Sequence, residues 1–192
     1  MVLHHCGRVG RRRISERSYF IVRPFFLTLF YFAQSAMKIS IVCLGKTDNL
    51  FLINEIDKYI KRINKYCKIG VEIIPDIKEK NISFDVQKKI EGKKLLEYLK
   101  NFNYVVLLDE NGTEYSSSEF SDYLQKKMNI GYKTIAFVIG GAYGFSSEIY
   151  SNFLDKISIS KMTFSHQLIR LLFVEQLYRA FTILNNEPYH HS

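Results

Sequence analysis

The chain has 192 residues, of which 47% are hydrophobic and 24% charged, so it can form a folded core and is not a disordered polypeptide. Its net charge is +8, but residues 1–36 carry +5 and the remainder only +3, so charge alone does not identify a nucleic-acid-binding protein. The three cysteines have no C-x-x-C spacing and give no indication of a zinc site or a thioredoxin-like pair.

Residues 1–36 form an arginine-rich leader that we predict is not part of the fold. A basic start followed by an apolar run is typical of a signal peptide, and an arginine-rich, acid-poor segment is typical of an organellar presequence. Arg23-Pro24 leaves only 25–33 as an unbroken apolar run, far short of the ~20 residues that span a bilayer. We prefer a third interpretation, in which Met37 is the true start, because a strand pattern begins there at once. The predicted location is the cytoplasm, or an organelle if the leader is a genuine presequence.

From Met37 onward, strand-like and helix-like segments alternate. Short apolar runs predict strands at 38–44, 71–77, 104–108, 133–139 and 156–159. Apolar residues at helical spacing predict helices at 49–66, 86–102, 116–129, 146–154 and 166–185. This alternation predicts an α/β fold in one domain, 37–192, with a mostly parallel sheet and helices on both faces.

Single residues set the expected boundaries. Asp48 is the predicted N-cap of the first helix, and Ser116-x-x-Glu119 is a capping-box pattern for the third. Pro75 indicates an edge position for the second strand, because proline cannot donate a hydrogen bond to a neighbour. Gly92 is a weak point in the second helix, and Cys43 is a small core residue.

Two turns at predicted strand ends are candidate ligand-binding segments. Residues 138–144, V-I-G-G-A-Y-G, place three glycines at the carboxyl end of a strand, where open α/β sheets bind ligands. The spacing matches neither a dinucleotide-binding turn nor a P-loop, and a plain tight turn is an equally good interpretation. Residues 160–164, S-K-M-T-F, follow the next strand and alone indicate only a helix entry capped by Thr163 or Ser165.

The last predicted helix is apolar almost all round. His166 and Arg170 are one turn apart on one face, and Glu175 and Arg179 are one turn apart on the opposite face. The planar fork of arginine suits phosphate, carboxylate or a base edge, while an i, i+4 Glu–Arg pair is equally typical of a structural ion pair. Because five strands leave little surface to bury such a helix, we predict a homodimer.

Other patterns indicate no further site. Asp109-Glu110 has the composition of a catalytic carboxylate pair, but adjacent residues on a strand point apart, and we reject that interpretation. His190 and His191 have no carboxylate beside them and are weak as a metal site, so no metal is predicted.

Four segments together resemble one family. V-I-G-G-A-Y-G-F, S-I-S-K-M-T-F-S-H-Q-L-I-R, V-E-Q-L-Y-R-A-F and the terminal P-Y-H are similar to the RlmH-type large-subunit rRNA methyltransferases of the SPOUT class. The resemblance extends from Met37 to His191. It implies a SPOUT-like fold with a C-terminal trefoil knot, a homodimer, and S-adenosyl-L-methionine as cofactor. The implied reaction is methylation at N3 of a pseudouridine in 23S rRNA on the ribosome.

The resemblance also assigns roles to residues. The implied cofactor-binding residues are Leu108, Gly140, Gly141, Ile159, Ser160, Lys161, Met162, Thr163 and Phe164. Arg179, Tyr189 and His190 are expected near the methyl donor and target base, and His166, Arg170 and His191 are expected to contact the substrate. A cation beside the uracil-like ring favours loss of its N3 proton, and His190 is the hypothetical base.

The chain departs from the family pattern at two positions. Ser165 stands where the family usually has proline, and His191 stands where an arginine or lysine commonly follows the first histidine. Since histidine is only partly charged near neutral pH, a phosphate contact at position 191 is expected to be weaker or pH-dependent.

Two alternatives compete with rRNA methylation. A SPOUT methyltransferase acting on tRNA is disfavoured by the compact chain and its Tyr-His ending. A non-catalytic ribosome-binding module is disfavoured by the intact glycine turn and S-K-M-T-F loop.

Overall fold

The computed structural model describes residues 37–77 and 82–189, and the leader predicted at 1–36 lies outside them. The strands are β1 (Lys38–Leu44), β2 (Lys68–Ile74), β3 (Tyr104–Glu114), β4 (Thr134–Ile139) and β5 (Lys156–Ser158). The helices are α1 (Leu50–Ile63), α2 (Phe84–Leu99), α3 (Ser117–Ile130), α4 (Ser147–Asn152) and α5 (Leu168–Leu184). Strands and helices alternate as predicted.

The strands form one sheet in the order β2-β1-β4-β3-β5, and all neighbouring pairs are parallel. Parallel strands need crossover connections, which the intervening helices provide. The predicted α/β class is therefore confirmed. β2 is an edge strand, as Pro75 indicated, and the carboxyl ends of β3, β4 and β5 lie together at one edge of the sheet.

Side chains that alternate along the strands divide the core into two layers. In β1, Ile39, Ile41 and Cys43 belong to the layer under α1, α3 and α5, whereas Val42 and Leu44 belong to the layer under α2 and α4. Cys43 is fully buried, as predicted, and burial raises the pKa of its thiol to about 11. The thiol is therefore protonated and unreactive at neutral pH.

The first residues of two helices show where a local sequence signal predicts the N-cap correctly and where it does not. Ser116 and Glu119 form the predicted capping box at α3. At α1, however, the cap is Asn49, whose Oδ1 accepts a hydrogen bond from the Phe51 N–H at 2.9 Å. The prediction of Asp48 was wrong because its carboxylate has a distant partner: Gln167 Nε2 donates to Asp48 Oδ2 at 3.4 Å.

Several boundaries differ from the predicted ones by two or three residues. β2 starts at Lys68, three residues before the predicted start, because it pairs in register with β1 from Lys38 onward, and it ends before Pro75. α2 starts inside the predicted loop 81–85, since the Ser83 hydroxyl accepts a hydrogen bond from the Val86 N–H.

β3 continues past its predicted end at residue 108. Its pairing with β5 shifts register between Leu108 and Thr113, so the intervening residues leave the regular ladder as a bulge. Within this bulge Gly112 lies against β5 so closely that a Cβ would be 2.5 Å from the carbonyl carbon of Ile157. Only glycine permits this approach.

α5 lies between α1 and α3 over one face of the sheet. Seven of its residues are buried, nine are partly exposed and only Leu168 is exposed, so α1 and α3 cover this helix largely but not completely. The predicted homodimer, argued from incomplete cover within one chain, stays a prediction. At the start of α5, the hydroxyl of the predicted cap Ser165 accepts a hydrogen bond from the Leu168 N–H at 3.2 Å.

None of the helices in 37–77 and 82–189 is both long enough and apolar enough to cross a bilayer. Within the same residues, no three side chains of the metal-binding types come together as a potential metal site.

Candidate active site

A cavity of about 490 Å³ lies at the edge of the sheet where β3, β4 and β5 end. Its walls come from the β3 bulge, the glycine-rich turn after β4 and the loop after β5. The carboxyl ends of parallel strands are the usual ligand site of open α/β sheets, and the volume is in the range of small-molecule sites. All the predicted cofactor-binding residues except Lys161 line this cavity: Leu108, Gly140, Gly141, Ile159, Ser160, Met162, Thr163 and Phe164.

The glycine-rich turn is both a tight turn and a wall of the cavity. The Gly144 N–H donates to the Gly141 carbonyl at 3.2 Å, and Gly144 has a φ of +73°. A side chain at position 144 would strain this backbone. Both interpretations of the motif therefore hold, since a sharp reversal presents the bare backbone of Gly140 and Gly141 to the cavity.

The loop after β5 is held by its own hydroxyl groups. The Ser158 hydroxyl donates to the Ser160 carbonyl at 2.9 Å, and the Ser160 hydroxyl accepts from the Met162 N–H at 3.0 Å. Lys161 points elsewhere: its Nζ is 3.8 Å from Glu114 Oε2, and its side chain is largely exposed. Its role in cofactor binding stays a prediction that the cavity does not support.

Two cavity-lining residues escaped the sequence reasoning. The Tyr150 hydroxyl donates to Asp109 Oδ2 at 2.5 Å, and Asp109 Oδ1 accepts from the Asn111 N–H at 2.9 Å. Burial, and then the hydrogen bond to Asp109, raises the pKa of Tyr150, so its hydroxyl stays protonated. Asp109 was considered only as half of a pair with Glu110; its position just after the buried end of a strand was the available signal.

The predicted catalytic residues Arg179 and Tyr189 meet in a polar cluster around Glu175. Arg179 Nη2 is 2.6 Å from Glu175 Oε1, to which the Tyr189 hydroxyl also donates at 3.2 Å. The guanidinium lies over the Tyr189 ring, 5.0 Å from its centroid. Burial, followed by contacts with Tyr59 and Glu175, raises the pKa of Tyr189, so its hydroxyl stays protonated and acts as a hydrogen-bond donor. His190 and His191 lie outside the described residues.

This cluster does not reach the cavity within one chain. Neither Arg179 nor Tyr189 lines it, although His166 and Ile169 at the start of α5 do. Arg179 is ten residues beyond Ile169, about 15 Å along a helix axis. Glu175 instead lines a second hollow of about 250 Å³, which shares Ile157, Ser158 and Ile159 with the first.

Arg170, a predicted substrate contact, is almost completely buried, with 2% of its surface exposed. Its Nη1 donates to Thr47 Oγ1 and its Nη2 to the Leu44 carbonyl, each at 2.7 Å. In the described chain this guanidinium therefore holds the turn between β1 and α1 and presents no free face to a substrate. Direct contact between Arg170 and RNA stays a prediction that this geometry does not favour.

Comparison with known proteins agrees with the geometry. A family model described as "Predicted SPOUT methyltransferase" matches residues 37–190. A curated relative from Christiangramia forsetii, named "Ribosomal RNA large subunit methyltransferase H", is 56% identical over 156 residues, which are 81% of this chain and 99% of that protein. Proteins of the same name from Flavobacterium psychrophilum and Parabacteroides distasonis are 56% and 53% identical over the same shares. The chain therefore belongs to the SPOUT methyltransferase family, as its motifs indicated.

Proposed function

We propose that this protein transfers a methyl group from S-adenosyl-L-methionine to N3 of a pseudouridine in 23S rRNA, with the assembled ribosome as substrate. The observation that carries the proposal is that the motif residues, scattered over the last half of the chain, line one cavity at the sheet edge. The named relatives, which match nearly over their full length, support rRNA over tRNA as the acceptor and an enzyme over a non-catalytic module.

The cavity suits the methyl donor of this family. Leu108, Ile139 and Ile159 offer apolar walls for the adenine, and the backbone of the loop after β5 offers hydrogen-bonding groups for its edge. The Asp109 carboxylate and the glycine-turn backbone are placed to bind the polar parts of the molecule. When bound, S-adenosyl-L-methionine supplies an activated methyl group. We further propose that this loop belongs to a trefoil knot, a rare feature that sequence physics does not predict.

The active unit is a homodimer whose sites are each built from two chains. Support comes from the distance between the Arg179–Tyr189 cluster and the cavity of the same chain, because a second chain can bring its cluster to the first chain's cavity. Exposed apolar side chains support the same assembly. Leu50 and Phe51 at the start of α1, Phe164 just before α5 and Leu168 at its start lie on segments joined by hydrogen bonds between Asp48 and Gln167.

At the acceptor base, side chains of the protein stabilise the negative charge on N3 and accept its proton. The Arg179 guanidinium beside the uracil-like ring stabilises the N3 anion and so favours loss of the proton. The Tyr189 hydroxyl, held protonated, orients the guanidinium through their shared partner Glu175. His190 follows directly in sequence and is the proposed base.

The proposal is tested by incubating the purified protein and labelled S-adenosyl-L-methionine with ribosomes, free 23S rRNA or bulk tRNA. We expect label in ribosomal 23S rRNA and N3-methylpseudouridine in its nuclease digest. Label in tRNA only would replace rRNA by tRNA as the substrate. Calorimetric binding of S-adenosyl-L-methionine without transfer to any of the three RNAs would contradict the proposed enzyme.

A further inference from the structure

The chain turns back on α5 where this helix ends. Asn186 has a φ of +55°, in the left-handed region that asparagine adopts more readily than most residues. The N–H of the next residue, Glu187, donates to the Thr182 carbonyl at 2.9 Å, and the Tyr189 N–H donates to the Glu187 carbonyl at 2.8 Å. These bonds direct residues 187–189, here called the tail, back along the surface of α5.

Tyr66, in the turn between α1 and β2, holds the tail through a side-chain hydrogen bond. Its hydroxyl donates to Glu187 Oε2 at 2.7 Å. The residue is only 9% exposed, and its ring stacks on Phe181 of α5 with centroids 5.6 Å apart and planes 5° apart. Burial, and then the bond to Glu187, raises the pKa of Tyr66, so its hydroxyl remains a hydrogen-bond donor. A ring fixed by packing therefore offers this hydrogen bond at a fixed place.

The same reversal of the chain places the Tyr189 ring against α5 and α1. The ring meets that of Tyr178 edge-on, with centroids 4.8 Å apart, and its hydroxyl lies 3.4 Å from that of Tyr59 in α1. Its other contacts are those with Glu175 and Arg179. The position of the tail therefore determines whether Tyr189 lies beside Arg179.

We propose that Tyr66 and Glu187 are positioning residues for methyl transfer. Their hydrogen bond fixes the tail and so keeps Tyr189, with His190 next to it in the chain, beside Arg179. The core gains little from this bond, since Glu187 is exposed and lies beyond the end of α5. Neither Tyr66 nor Glu187 lines the cavity, so both act through the tail. This inference rests on the proposed function, in which Tyr189 and His190 act at the acceptor base.

The test compares Tyr66→Phe with Tyr123→Phe, a matched control. Tyr123 is 8% exposed and its hydroxyl donates to Asp155 Oδ2 at 2.8 Å, but it lies in α3, on the other side of α5. Each variant therefore loses one hydrogen bond from a buried tyrosine to a carboxylate. We expect kcat for ribosome methylation to fall about fivefold in Tyr66→Phe and to stay within twofold of wild type in Tyr123→Phe. The KM for ribosomes and the affinity for S-adenosyl-L-methionine should be unchanged in both.

Changes at Glu187 separate positioning from a loss of stability. Glu187→Gln keeps an oxygen that accepts the Tyr66 hydroxyl and should retain most of kcat, whereas Glu187→Ala should lower kcat about fivefold. Because Tyr66→Phe and Glu187→Ala remove the same bond, the double variant should be no slower than either single variant. Amide hydrogen exchange at Glu187 and Tyr189 should accelerate about fivefold in Tyr66→Phe and stay unchanged in Tyr123→Phe.

An unchanged kcat in Tyr66→Phe, with active wild type, would overturn this role alone. A rise in kcat would show that the bond restrains the tail away from the acceptor and would also overturn it. Additive losses in the double variant, or an equal loss in Tyr123→Phe, would trace the effect to general stability and contradict positioning. Wild type that methylates no ribosomes would overturn the proposed function and this inference together.

Discussion

Gly92, near the middle of α2, lies where α2 packs closely against Ser146 at the start of α4. A Cβ at this position would lie 2.3 Å from Ser146 Oγ and 3.1 Å from Ser146 Cβ. The Ser146 hydroxyl cannot simply rotate away, because it accepts a hydrogen bond from the Ile149 N–H at the start of α4. The glycine that helix propensity marks as a weak point is therefore required by packing.

We predict that Gly92→Ala destabilises the protein by about 1–3 kcal/mol, because overpacking outweighs the gain in helix propensity. The free energy of urea unfolding measures this. Ser146→Gly removes both clashing atoms and itself costs only a few tenths of a kcal/mol at a helix cap. Gly92→Ala should therefore cost much less in the Ser146→Gly background. A gain of about 1 kcal/mol from Gly92→Ala alone, as propensity predicts, would contradict this packing.

A helix cap can be predicted from the sequence when the two residues that form it are close together in the chain. The Ser116–Glu119 box closes within three residues and was predictable. The cap at α1 was not, because the choice between Asp48 and Asn49 depends on Gln167, which lies 119 residues further along the chain. Gly92 could not be understood either, since its partner Ser146 lies in another element.

At the scale of elements, the start of α5 connects a cavity-lining loop to the turn between β1 and α1. Its residues follow directly from the cavity-lining loop after β5. Through Arg170 and Gln167 it also holds the turn between β1 and α1. Burying a cation is costly, and the two hydrogen bonds that Arg170 donates to Thr47 and Leu44 offset part of that cost.

We predict that Arg170→Met loosens the turn between β1 and α1. Amide hydrogen exchange at Gly45 and Asp48, whose N–H groups donate to the Ile74 carbonyl and to Gln167 Oε1, should accelerate at least about tenfold, because a local opening free energy falls by roughly 1.4 kcal/mol or more. Arg179→Met is the matched control on the same helix, since its partner is Glu175, and should leave exchange in this turn unchanged. Equal exchange in wild type and Arg170→Met would show that Arg170 does not hold the turn.

Element positions were predictable where the hydrophobic pattern is uninterrupted. β1 and the body of each helix follow from apolar spacing alone. β3 was cut short at residue 108 because its continuation is polar and bulged, and its pairing with β5 depends on Gly112. Because the predicted strand ended at residue 108, Asp109 was not recognised as a cavity-lining residue.

For the molecule as a whole, alternating strands and helices predicted a parallel sheet with two covered faces, and the sheet has that form. The strand order was not predictable, because parallel pairing depends on crossovers rather than on adjacency in sequence. The grouping of the glycine turn and the loop after β5 came from motif resemblance and not from periodicity. Neither motif resemblance nor periodicity describes a second copy of the chain, so neither can show whether a site is shared between chains.

In the proposed enzyme the cavity of one chain works with the Arg179 cluster of another, and mixed dimers distinguish this arrangement from a site within one chain. Thr163→Trp fills the cavity, and Arg179→Ala removes the cation; each homodimer should be inactive. A purified dimer with one chain of each kind retains one complete site out of two, because a two-fold dimer has two equivalent sites. We predict about half of the wild-type rate of ribosome methylation. No activity in the mixed dimer, with S-adenosyl-L-methionine still bound by the Arg179→Ala chain, would contradict a site shared between chains.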